Sequence, residues 1–111
     1  MWEQKYHRDI IIYMPTEQVL YNPKVDNTQK KFIINIDGQE YNFSILSKSV
    51  GDRQFFYSVF KPLEFDHVIY ISEITDSWYS AKSSMNQIFN EVCQYFELEE
   101  SNYSDIINFL R

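Results

Sequence analysis

The chain is poor in the residues that small proteins use as staples. Its 111 residues include one cysteine, Cys93, so no intrachain disulfide can form and nothing points to an oxidising compartment. The two histidines, His7 and His67, stand far apart and are flanked by charge. With no second cysteine, no His pair at helical or strand spacing and no Asp-x-Asp loop, the chain lacks the ligand spacing of a metal site. Two isolated glycines exclude a phosphate-cradling loop of the P-loop or dinucleotide kind. No apolar run approaches membrane-spanning length, and the opening Met1–Asp9 stretch is too polar for a signal peptide. The expectation is a cytoplasmic protein with no cofactor, no metal and no membrane contact. No catalytic residue is nominated either. Cys93 lies on the apolar stripe of a helix without a nearby base, and of the Asp…Glu-x-Lys nuclease pattern only Glu3-Gln4-Lys5 is present.

Aromatics, by contrast, are abundant. They make up 18% of the chain, and 44% of it is hydrophobic, with three prolines and no linker, repeat or low-complexity tract. This is the composition of one packed domain spanning residues 1–111, of a size that buries roughly two-thirds of its unfolded surface. Heavy use of Ile, Asn, Lys, Tyr and Phe with a single alanine fits AT-rich codons, as in a low-GC bacterium, its phage or a mobile element.

One amphipathic helix dominates the pattern, from Asp76 to Leu98. Trp78, Ala81, Met85, Ile88, Val92 and Tyr95 recur at spacings of three and four, and Phe89, Cys93 and Phe96 widen the stripe. Asp76 or Ser77 can cap its first free N–H groups. A short final helix follows, with Tyr103, Ile106, Ile107 and Leu110 on one side and Ser101 or Asn102 as its cap.

Before the long helix the period changes from 3.6 to 2. Asp37-Gly38 between two alternating runs is a two-residue hairpin turn, because both central positions need φ > 0. That turn sets Ile36 opposite Gln39, Ile34 opposite Tyr41 and Phe32 opposite Phe43 on one apolar face. Ile33, Asn35, Asn42 and Ser44 fall on the other face, which is expected to be largely wet. Strands are also expected at Gln54–Phe60 and His67–Ile74, with Ser47–Arg53 as a turn, and weaker ones at Asp9–Met14 and Gln18–Tyr21. The residues from Asn22 to Lys30 read as a polar loop. Connections too short for helical crossovers make the sheet an antiparallel meander of four or more strands. The expected class is α+β, with the long helix across one face of the sheet. Phe32, Ile34, Tyr41, Phe43, Met85, Ile88, Phe89, Val92 and Phe96 are its expected core.

The net charge of −6 is uneven. Residues 1–61 hold eight Lys/Arg against seven acids, whereas residues 62–111 hold two against nine. The acidity therefore belongs to the helical end, which argues against direct binding to duplex nucleic acid and suits a partner protein with a basic surface. Glu91, Glu97, Glu99, Glu100 and Asp105 are the candidate partner-binding carboxylates, with Tyr79 or Tyr103 as an aromatic anchor. In size and charge the chain resembles the small acidic inhibitors and immunity proteins that plug basic or nucleic-acid-binding sites, including anti-defence proteins of phages. No residue motif carries that likeness. Two other readings stand beside this non-enzymatic one. A single-stranded nucleic-acid binder would use the aromatics of strand 54–60 with Lys48, Arg53 and Lys61 at its ends. A small enzyme would rest on acids brought together from distant strands. A homodimer is compatible with any of the three.

Overall fold

The computed structural model describes residues 21–65 and 67–111. Four strands, β1 (Asn27–Ile36), β2 (Gln39–Val50), β3 (Arg53–Pro62) and β4 (Tyr70–Ile71), form one sheet in the order β1-β2-β3-β4. Every neighbouring pair is antiparallel. Helix α1 (Trp78–Phe96) lies across one face, followed by a 3-10 turn (Glu100–Tyr103) and helix α2 (Ser104–Leu110). The class is α+β, an open four-stranded meander under a long helix and a short final one.

The first hairpin follows from two dihedrals. Asp37 (φ 53°) and Gly38 (φ 89°) both occupy the left-handed region, giving the turn whose twist matches the strands. The Gly38 N–H donates to Asn35 Oδ1 at 3.0 Å. Ile36 then faces Gln39, Ile34 faces Tyr41 and Phe32 faces Phe43, the register read from the sequence. On this face Phe43 packs on Phe60 at 4.4 Å and on Phe89 of α1 at 5.8 Å, edge to face. Ile34, Tyr41, Phe43, Met85, Ile88, Phe89 and Val92 are buried, while Phe32 and Phe96 form the rim.

Several expectations are corrected. β1 begins at Asn27, inside the stretch read as a loop. Gln29 is an extra residue in the ladder and its side chain donates to Ser47 Oγ at 2.8 Å, so polar residues continue the strand without apolar alternation. β2 runs on to Val50, which shrinks the expected Ser47–Arg53 turn to Gly51-Asp52. The strand expected over His67–Ile74 pairs regularly only at Tyr70–Ile71, with a lone bridge from Phe56 to Thr75. Between them the Ser72 hydroxyl accepts the Ser58 N–H at 2.8 Å, so a side chain stands in for the ladder carbonyl.

The second sheet face is not wet. Asn42, Ser44, Leu46, Tyr57, Val59, Lys61 and Ile71 are all buried there, with Tyr21, Val68 and Ile74 packed against them. At the margins of that face Ile33 and Asn35 of β1 and Glu40 and Val50 of β2 remain exposed. The buried polar groups find local partners: the Ser44 hydroxyl donates to Asn42 Oδ1, and Lys61 Nζ donates to the Pro62 carbonyl at 2.6 Å. The strands expected at Asp9–Met14 and Gln18–Tyr21 lie outside the described residues, apart from Tyr21, which is not in a strand.

Candidate functional site

α1 starts as its sequence requires. Ser77 is the cap, its Oγ accepting from the Ser80 N–H at 3.1 Å, while Asp76 instead pairs with Arg53 at 3.0 Å in solvent. The other end is unusual. The helix closes with the Leu98 N–H on the Cys93 carbonyl (2.9 Å) and the Glu97 N–H on the Gln94 carbonyl (3.4 Å). This closure needs a left-handed residue at its corner, normally glycine; here it is Glu97, at φ 56°, ψ 47°. No basic residue occupies the last turn of α1, so the negative end of the helix dipole meets Glu97 and then Glu99.

The chain turns back at once. A 3-10 bond from the Asn102 N–H to the Glu99 carbonyl (3.0 Å) leads directly into α2, whose N-cap is Tyr103 rather than Ser101 or Asn102. Glu97, Glu99, Glu100 and Asp105 are all exposed. The ion pairs among the described residues, Lys48–Asp26 and Arg53–Asp76, involve none of them. Tyr103 is half-buried, its ring edge-on to Phe89 at 6.1 Å and its hydroxyl donating to the Asn35 carbonyl at 3.4 Å. Burial pushes that hydroxyl's pKa up, with the charges of Cys93 and Asp37 adding to it. The hairpin tip is thus a neighbour of the same end. It brings Asp37 from the half of the chain whose charges nearly cancel, an acid that the sequence offered no reason to add.

Tyr79 is 80% exposed, the most exposed large hydrophobic among the described residues. It lies at the opposite end of α1, about 27 Å from Glu97 at 1.5 Å per residue. Eighteen residues make about five turns, so the two share a face of the helix, along with the exposed Ser83, Asn86 and Asn90. Glu91 is exposed about a third of a turn round from that stripe. The candidate residues therefore form one acidic end, a half-buried tyrosine within it, and a free tyrosine at the far end of the same helical face.

Two shallow clefts border the acidic end. One of about 180 Å³ lies between α1 and α2, lined by Asn86, Phe89, Asn90, Glu100, Ile107, Leu110 and Arg111. Another of about 140 Å³ lies between β1 and the stretch Asn102–Ile106. Both are small beside ligand pockets of roughly 300–1,000 Å³. Among the described residues no three His, Cys, Asp or Glu side chains converge as a metal site, and no helix is long and apolar enough to cross a membrane. Cys93 is buried, and desolvation, helped by Glu100, pushes its thiol up to about 11.

No family model, curated protein or solved structure matches the chain. One further polar cluster escaped the sequence reading. The Asp26 side chain is 1% exposed, and one of its oxygens accepts from Lys48 Nζ at 2.8 Å and from Tyr57 Oη at 2.5 Å. Burial first, and then the Asp26 carboxylate, hold the Tyr57 hydroxyl well above the ordinary tyrosine range. With its carboxylate shut off from solvent, this cluster is a clasp that ties the turn at Asn22–Asp26 to the second sheet face. No local pattern marks it, because its partners are 22 and 31 residues away.

Proposed function

We propose that this chain is a protein-binding module of the inhibitor or immunity type, acting in the cytoplasm, whose acidic end docks on a basic surface of a partner protein. The observation that carries the reading is the placement of Glu97. A glutamate stands where helix closure favours glycine and where the helix dipole opposes a negative charge, and no cation of the described chain offsets it. Each feature costs local stability, and a cationic partner would relieve the charge repulsion, though not the backbone strain. Residues held against the local preference of the backbone cluster at functional surfaces.

In this reading Glu97, Glu99, Glu100 and Asp105 steer the encounter, with Glu91 on the flank and Tyr103 as the firm floor between them. Tyr79 adds an apolar anchor at the far end of the face. A span of about 27 Å fits within an interface of about 800 Å² per partner. A phage or mobile-element origin would make a host nucleic-acid enzyme the natural basic target. Affinity capture from the source's lysate, with and without nuclease, tests the class. A captured protein that survives nuclease and is lost with the combined Glu97→Lys, Glu99→Lys and Glu100→Lys variant supports the proposal. Capture that disappears with nuclease contradicts it.

A further inference from the structure

Near the N-terminal end of α1 two lysines lie on a group of aromatic rings. Four rings from four elements form a contiguous row there. Phe56 of β3 meets Trp78 of α1 at 5.4 Å, Trp78 meets Phe109 of α2 at 6.1 Å, and Phe109 meets Phe32 of β1 at 5.5 Å. Trp78 is 37% exposed and the three phenylalanines are half-buried. Two ammonium groups sit on the row. Lys30 Nζ is 5.1 Å from the Phe32 ring centre and 5.3 Å from that of Phe109, and Lys82 Nζ is 4.8 Å from Phe109. No carboxylate pairs with either lysine among the described residues. α1 begins here with no acid in its first turn, so the positive end of its dipole adds to theirs.

We propose that this cationic aromatic row is a second contact surface, and that its occupant is a single-stranded nucleic acid. Two features select that ligand. The lysines supply unneutralised charge for phosphates, and Trp78, the most exposed ring of the row, supplies a stacking surface that any base can use. An acidic peptide would satisfy the lysines but leave the rings without flat partners. A duplex would present phosphates with its bases already stacked. The row adjoins Asp105, which lies one helical turn from Phe109 and lines a cleft with Phe32, but the inference does not rest on the protein-binding reading. Phe109 also pins α2 to the sheet and both lysines touch its ring, so the lysine variant is compared with the parent only once its fold has been checked.

Fluorescence anisotropy of a labelled oligothymidylate of about twelve nucleotides, titrated with the full chain between about 50 and 200 mM salt, tests the proposal. The single strand should bind at low salt, at least tenfold more tightly than a duplex of the same length, polyphosphate or polyglutamate. The Lys30→Gln/Lys82→Gln double variant, checked by thermal melting to be folded, should bind at least tenfold more weakly. Its slope of log affinity against log salt should be shallower by about 1.4, as expected for two lost phosphate contacts on a single strand. Absence of binding by the parent at low salt overturns the proposal, as does unchanged affinity in the double variant. Equal binding of polyphosphate removes the rings from the site, and preferential binding of polyglutamate reassigns the surface to an acidic protein.

Discussion

Replacing Glu97 by glycine should make the protein more stable and its partner contact weaker. Three effects set the size. Glu97 holds φ 56°, ψ 47°, and relief of a non-glycine residue from that region contributes about 1–2 kcal/mol. Removing a negative charge from the C-terminal end of α1 adds about 0.3–1 kcal/mol, discounted toward the lower figure because the side chain is exposed. Against these, glycine enlarges the conformational freedom of the unfolded chain, costing about 0.4–1 kcal/mol. The net is a stabilisation of about 1 kcal/mol, or roughly 4 °C in Tm for a chain of this length. Urea denaturation followed by tryptophan fluorescence reads it directly. Glu97→Gln separates the terms: it removes the charge but keeps the strain, and should gain only about 0.3 kcal/mol. If Glu97→Gly is neutral or destabilising, the corner is not strained, and the main support for a functional acidic end falls with it.

Other outcomes follow from the packing and the buried groups. Val92 is fully buried beneath the sheet, so Val92→Ala should cost about 1–3 kcal/mol by lost burial and a partial cavity, visible as a lower denaturation midpoint at unchanged m-value. Asp26→Ala leaves the Tyr57 hydroxyl without its acceptor and frees Lys48, and should cost about 3 kcal/mol, with earlier proteolysis near Asn22–Asp26. With its thiol at about 11, Cys93 at pH 8 is roughly one part in a thousand thiolate, so alkylation of the native protein should be at least a hundredfold slower than after denaturation. A raised thiol pKa means that the folded state holds the proton more tightly. Its contribution is full below about pH 9 and is lost as pH rises toward 11, so the stability gap between the parent and Cys93→Ala should narrow across that window.

Much of this fold was readable from local chemistry. Asp37-Gly38 can form only a tight turn, and once it is placed the register of two strands follows without tertiary information. The apolar period from Ala81 to Val92 likewise needs no partner to declare itself. What was missed depended on distant contacts. Asn42 and Ser44 look like solvent-facing residues, and they are buried because they satisfy each other. Asp26 looks like a loop residue because Lys48 and Tyr57 are far along the chain. The strand expected after His67 fails because the Ser72 hydroxyl, rather than a carbonyl, completes the ladder. At the candidate site the acidic residues were visible from charge alone. Neither the strain at Glu97 nor the approach of Asp37 could be, since one is a dihedral and the other a tertiary proximity.

The central claim is that the carboxylates after α1 steer association with a basic protein. Its most direct test is the association rate of the captured partner, measured by stopped flow against ionic strength, for the parent and for the combined Glu97→Lys, Glu99→Lys and Glu100→Lys variant. Screening reaches about 8 Å at physiological salt, so a steered rate must fall as salt rises. The parent should associate at least tenfold faster than the variant at low salt, the two rates should converge at high salt, and both proteins should melt at similar temperatures. Equal rates at low and high salt would contradict the claim and leave the acidic end a solubilising surface.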